Sequence, residues 1–265
     1  MKCLSLIAVV GVGCLFFQNA HASLLFSEAF NYTGGSALAG NVNPGNSTAW
    51  NGGNAGLTIG GGDLTYSGLQ DQGGNELSIA NATAGTSINT FANVTSGQIY
   101  YSFLLDVTTV DGANDYITAL NPGATGPGGS GDAINAYLYA NGKIGLRTAG
   151  SSTVTSSSAL TLNTTYFVVL EYDLTGQTAY LYLDPTAGSS QPAATLTLAT
   201  TTAVSAIDNV GFKAQSTTGD FLVDNLLIGT TWADVTPVAA PEPSTIALSG
   251  IALAGLAFSR RWMRK

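Results

Sequence analysis

The chain has 265 residues, of which 9% are charged, and its formal net charge is −8. Between Ser23 and Ala240 only Lys143, Arg147 and Lys213 stand against fifteen acidic residues, a charge of −12, which excludes nucleic acid because phosphate neutralisation needs Lys and Arg. Cys3, Cys14 and His21 lie in the first 22 residues, so the body after them can form no disulfide, thiol nucleophile, Ser-His-Asp triad or His-ligated metal centre.

Met1-Lys2, an apolar stretch from Leu4 to Phe17 and then Ala20-His21-Ala22 predict a secretory signal peptide over 1–22. The small residues Ala20 and Ala22 fit cleavage before Ser23 by a signal peptidase.

From Leu24 onward, short apolar runs alternate with Gly, Asn, Pro and Ser clusters, the pattern of an antiparallel β protein. No helical period is sustained over ten residues. Strands are predicted at 24–30, 57–66, 76–80, 86–91, 98–107, 116–120 and 133–140, then at 143–148, 166–174, 178–184, 194–198, 207–214 and 221–228. In 98–107, Ile99, Tyr101, Phe103, Leu105 and Val107 give one fully apolar face. Asp173-Leu174-Thr175-Gly176 and Asn141-Gly142 predict hairpin turns, the second with positive φ at both residues. Thirteen strands without a helix imply two packed antiparallel sheets, a jelly-roll sandwich.

Three sets of residues invite a chemical reading. Glu171 and Asp173 share a strand face about 6–7 Å apart, two rises of about 3.3 Å. A glycoside hydrolase needs an opposed acid and base, and Leu174, Thr175, Gly176 and Gln177 follow with no further carboxylate. The expectation is therefore no catalysis, with Glu171 on the solvent side of a sheet and Asp173 opening a turn. Asp111-Gly112-Ala113-Asn114-Asp115 is the densest oxygen cluster; calcium at Asp111 and Asp115 is weighed against plain turn chemistry. No other cofactor is indicated. Trp50, in the loop-like run Ala49-Trp50-Asn51-Gly52-Gly53, is the candidate for stacking on a glycan, while Trp232 is expected to close the core.

After a short linker at 236–240 comes Pro241-Glu242-Pro243, an apolar run from Ile246 to Phe258, and a basic end at Arg260, Arg261, Arg264 and Lys265. As a helix, 244–259 spans about 24 Å, short of a bilayer core by an amount that thinning and snorkelling absorb. The basic end stays on the cytoplasmic side, which sets the body outside the membrane. This tail, 241–265, resembles the PEP-CTERM sorting signal of Gram-negative bacteria. The resemblance implies recognition by a membrane-embedded exosortase, cleavage near the triplet, and delivery to the envelope or exopolysaccharide.

A second resemblance rests on three stretches. Tyr166-Phe167-Val168-Val169-Leu170-Glu171-Tyr172-Asp173 with Ala179-Tyr180-Leu181-Tyr182-Leu183-Asp184-Pro185 is similar to the central hairpin of laminin-G-like, concanavalin-type jelly rolls. Phe26-Ser27-Glu28-Ala29-Phe30-Asn31-Tyr32 resembles the opening of such domains in PEP-CTERM proteins, and 224–235, Asp224 to Val235, their last strand. One such domain over 23–235 is implied. The expected function is an exported surface or matrix protein, structural or adhesive and without catalysis. A carbohydrate-binding lectin-like module, with exopolysaccharide as partner, and a jelly-roll glycoside hydrolase are the alternatives.

Overall fold

The computed structural model describes residues 24–53, 56–80, 85–123, 126–128, 131–150, 153–156, 158–215 and 219–239. The signal-peptide residues Ala20, Ala22 and Ser23, the triplet Pro241, Glu242 and Pro243, the expected membrane helix and the basic end lie outside them. Among the described residues, two antiparallel sheets pack face to face. The first runs β13 (Leu196–Ala199), β12 (Thr178–Leu183), β11 (Thr165–Asp173), β6 (Gln98–Val107), β15 (Phe221–Gly229), β4 (Leu77–Ile79) and β3 (Leu57–Ile59). An eighth strand, β1 (Phe26–Glu28), pairs with β15. The second sheet runs β10 (Val154–Thr155), β9 (Ile144–Thr148), β8 (Ile134–Leu138), β7 (Asp115–Asn121), β14 (Ile207–Ala214), β5 (Gly85–Val94) and β2 (Asn51–Gly52).

All thirteen expected strands are present, with ends shifted by local chemistry. The expected strand 57–66 stops at Ile59 because Gly60-Gly61-Gly62 follow, and Glu76 folds over Gly60 and Gly62, where a Cβ would collide with its carboxyl. The pair β2 and β10, two residues each, is too short to leave a period. The hairpin β11–β12 closes with Asp173 opposite Thr178, as its turn residues require. The β8–β9 hairpin also forms at Asn141-Gly142. The Gly142 N–H donates to the Tyr139 carbonyl at 2.8 Å, and Gly142 has φ +74° whereas Asn141 keeps a negative φ, so a type I turn ends in one left-handed glycine.

One helical turn, α1 (Trp232–Val235), corrects the helix-free reading. Thr231 and Asp234 cap it reciprocally: the Thr231 hydroxyl accepts from the Asp234 N–H, and the Asp234 carboxylate accepts from the Thr231 N–H.

The main core lies between the sheets. Ile99, Tyr101, Phe103, Leu105 and Val107 of β6 and Val168, Leu170 and Tyr172 of β11 join Ile134, Ala136 and Leu138 of β8 and Val210, Phe212 and Ala214 of β14. Fully burying such side chains contributes about 1.5–3 kcal/mol each. The opposite faces of β6 and β11 are covered as well. Tyr100, Leu104, Phe167 and Val169 pack with Leu64, Leu69, Tyr182, Trp232 and Val235 in a second apolar layer.

The carboxylate of Glu28, 2% exposed, organises the start of the domain. Its Oε1 accepts from the Phe30 N–H at 2.8 Å. Its Oε2 accepts from the Tyr32 hydroxyl at 2.6 Å and from Asn43 Nδ2 and Trp50 Nε1 at 2.8 Å each. Burial, then the charge of Glu28, pushes the Tyr32 hydroxyl well above its ordinary pKa. Phe30 takes φ +47° to turn the chain around this group.

At the other end, Thr236–Ala239, the expected linker, runs along the domain. The Gly188 N–H donates to the Thr236 carbonyl, the Gln70 N–H to the Pro237 carbonyl and the Ala239 N–H to the Gly68 carbonyl. Nearby, Asp224 accepts from the Leu64 N–H at 3.0 Å and its neighbour's N–H at 2.6 Å. Burial, seconded by the charge of Asp63, still pushes the Asp224 carboxyl up to about 8.

Two outcomes are expected. Glu28→Leu strands four donors in the core and should lower unfolding free energy by about 3 kcal/mol or more, read by urea titration with Trp50 fluorescence. Asp224 keeps its proton when folded and loses it when unfolded between about pH 4 and 8, so its contribution is greatest at low pH. Stability should fall through that window by up to about 1.4 kcal/mol per pH unit, and Asp224→Asn should flatten the slope.

Candidate functional site

The second sheet turns apolar residues inward and a different set outward. Register places Tyr116 opposite Tyr137 across β7 and β8, and Asn135 opposite Arg147 across β8 and β9. On β14, Phe212 belongs to the core, so Lys213 projects from the outer face. These outward residues meet. The rings of Tyr116 and Tyr137 have centroids 4.3 Å apart, and Tyr139 follows at 6.1 Å from Tyr137. Arg147 Nη1 donates to the hydroxyls of Tyr116 and Tyr137, at 2.9 Å each. Lys213 Nζ stands 4.7 Å from the centroid of Tyr116. Two of the three cations of the body therefore flank one tyrosine cluster.

Two glycines make the arrangement possible. At Gly145 on β9, a Cβ would lie 2.2 Å from Tyr139 Cε2 and 2.9 Å from the Val154 carbonyl, so the bare backbone seats the Tyr139 ring. At Gly211 on β14, a Cβ would lie 2.6 Å from Pro127 Cδ, so Gly126–Gly128 can close over that strand. Asp132 fastens the segment by accepting from the Gly128 N–H and from Asn135 Nδ2.

Burial pushes the Tyr137 hydroxyl well above its ordinary pKa; the Tyr116 hydroxyl adds to this and Arg147 opposes it. Tyr137 therefore stays a neutral phenol at physiological pH. Tyr139 Oη and the Oδ1 atoms of Asn135 and Asn209 are buried without a hydrogen bond, a condition that costs about 1–3 kcal/mol per group. Asn135, Asn209 and Tyr137 are buried, and the partly exposed groups of this face are Arg147, Lys213 and the rings of Tyr116 and Tyr139. Cations beside aromatic rings suit binding, and among the described residues no opposed acid–base couple of carboxylates is built there.

The other expected residues fall elsewhere. Trp50 corrects the glycan-stacking expectation: it is 1% exposed, hydrogen-bonded to Glu28, and packed against Phe26, Phe30 and Phe212. Its run of small and polar neighbours looked like a loop, but the indole is a core group. Asp111 accepts from the Ala113 N–H two residues on, and Asp115 from the distant Gly219 N–H. These are turn and loop anchors, and among the described residues no group of three or more His, Cys, Asp or Glu side chains gathers as for a metal.

Glu171 corrects the solvent-facing expectation. It is 6% exposed within the second apolar layer, accepting from the Tyr182 hydroxyl at 2.6 Å and Gln191 Nε2 at 2.7 Å. Its charge, after burial, pushes the Tyr100 hydroxyl up to about 12. Asp173 opens the hairpin turn, accepting from the Thr175 N–H. Trp232 caps this layer edge-on to Tyr182, 4.9 Å away, and donates to the Ser189 carbonyl.

Residues 239–261 match the PEP-CTERM protein-sorting motif. Proteins that carry it are exported, sorted to the membrane or cell surface, and processed by an exosortase. No curated protein matches the sequence. Solved structures that overlap the chain include a sialidase, at 12% identity and TM-score 0.48 over 76% of this chain and 19% of that one. Another is the Trypanosoma rangeli sialidase in complex with the inhibitor DANA, at 12% identity and TM-score 0.49 over 78% and 30%. A third is lectin UEA-II complexed with galactose, at 12% identity and TM-score 0.45 over 78% and 98%. The chain spans about a fifth to a third of the length of the sialidases it overlaps. The sheet order itself defines the architecture.

Sequence reasoning missed the tyrosine–cation face, although a signal was there. Tyr137, Arg147 and Lys213 each alternate with apolar neighbours on a strand, which places them together on the polar side of one sheet. Gly145→Ala should displace Tyr139 while leaving the core intact. The expected result is altered near-ultraviolet circular dichroism with a change of no more than about 1–3 kcal/mol in stability.

Proposed function

We propose that this protein is an exosortase-sorted component of the cell envelope or extracellular matrix, whose body is a laminin-G-like, concanavalin-type jelly roll acting without catalysis. The observation that carries the reading is the sorting motif at 239–261, whose first residue, Ala239, donates to the Gly68 carbonyl of the domain. An adhesive or structural role is further supported by the buried carboxylates. Glu28 and Glu171 accept hydrogen bonds that hold neighbouring segments, Asp234 caps α1, and Glu171 is buried beneath Tyr182 and Gln191. A jelly-roll glycoside hydrolase would need two carboxylates opposed across an open cleft.

Within that role, a lectin-like binding module is favoured over an inert spacer by one feature, the cluster of Tyr116, Tyr137, Tyr139, Arg147 and Lys213 on the outer face of the second sheet. The signal peptide and tail set the order of events: export, retention in the inner membrane facing outward, then release into the envelope near the Pro-Glu-Pro triplet. Fractionation and intact mass of the native protein test this against a variant carrying Pro241→Ala and Pro243→Ala. A mature species beginning at Ser23 and ending near residue 240, absent from the variant, is the expected result. Full-length protein held in the inner membrane in both would overturn the processing step.

A further inference from the structure

We infer, building on the binding-module reading, that the outer face of the seven-stranded sheet binds an acidic polysaccharide, with the partly exposed Arg147 and Lys213 holding the anionic groups and Tyr116 between them lending ring surface to a sugar. The first support is charge placement. In a body with fifteen acidic residues and three basic ones, each cation has carboxylates in excess to pair with. The contacts of Arg147 and Lys213 among the described residues are instead with tyrosines. Arg147, partly exposed, donates from Nη1 to two hydroxyls, and its guanidinium is a planar fork of the kind suited to a carboxylate or sulfate.

The second support is spacing. Lys213, Tyr116, Tyr137 and Arg147 stand on four successive strands, β14, β7, β8 and β9, so the row crosses three interstrand intervals, about 14 Å. That length accommodates more than one residue of a chain and favours a polymer over a free monosaccharide. Chemistry gives the third support. Tyrosine rings offer apolar surface to the C–H faces of a sugar, and each cation here already lies over or beside a ring, where its charge is partly desolvated. A neutral glycan would use the rings but leave both cations unanswered, so the ligand is an anionic one.

Affinity electrophoresis of the full chain in detergent tests this, in gels containing polygalacturonate, dextran sulfate or neutral dextran. Retardation is expected with a polyanion and not with dextran; the polygalacturonate and dextran sulfate arms tell a carboxylated ligand from a sulfated one. Arg147→Met and Lys213→Met, on different strands, should each weaken retention about tenfold, while Lys143→Met, outside the row, should leave it unchanged. Matching melting temperatures show that the variants fold, and if one does not fold the other carries the test. Equal retardation by dextran, variants that bind as wild type, or no retardation at all would overturn the inference. Normal sorting without polyanion binding would fell this inference alone, and polyanion binding without sorting would fell only the sorting reading.

Discussion

A carboxylate buried without a cation fixes the start of this domain. Taking an ion out of water costs several kcal/mol, and that cost is met at Glu28 by four converging donors. The donors come from the turn after β1, from Asn43 and from Trp50, so one group positions three separate stretches of chain. Its consequence reaches across the sandwich. Trp50, oriented through its Nε1, packs on Phe30 and on Phe212 of β14, 5.6 Å away, and so joins the turn after the first sheet's opening strand to β14 of the second sheet. Because Phe212 points inward, Lys213 points outward: the knot at Glu28 helps seat the strand that carries half of the cationic site.

The two sheets differ in what covers them. Leu64, Leu69, Trp232 and Val235 close over the outer face of the eight-stranded sheet, which turns Glu171 from a surface carboxylate into an interior one. The outer face of the seven-stranded sheet keeps its polar and aromatic residues, crossed by the Gly126–Gly128 segment above Gly211. Arg147, Lys213 and Tyr116 stay partly exposed there, and the proposed binding surface rests on them. The covered face also secures the exit of the chain, because the loops around Gly68 and Gly188 that edge it hold Thr236–Ala239.

Strand positions were legible because alternation of apolar and polar residues is a property of the strand itself, and all thirteen expected strands formed. Burial of the second face of β6 and β11 was not. Glu171 read as an outward polar residue, and only α1 and distant loops, packing over that face, decide otherwise. The capping box of α1 stood in plain view as Thr231 and Asp234, yet four residues are too few to show a helical period. Trp50 failed for a related reason: glycine and asparagine neighbours mark a turn, but they do not say which way an indole points. The tyrosine–cation face was half legible, since alternation gives the outward direction of each residue, while the strand order β14-β7-β8-β9 that makes them neighbours comes from non-local pairing.

A domain of charge −12 that binds polyanions looks contradictory until range is considered. At physiological ionic strength charges farther apart than about 8 Å are largely screened, so the repulsion of distant Asp and Glu side chains fades while contacts at Arg147 and Lys213 persist. The acidic remainder then acts as a filter. It prevents the loose, whole-surface adhesion that a basic protein would show toward any polyanion, and leaves attraction only where a chain lies along the tyrosine row. Each such contact is weak alone. Were several copies to lie along one polymer with repeating charges, retention would grow with the number of contacts while each single contact stayed easy to release.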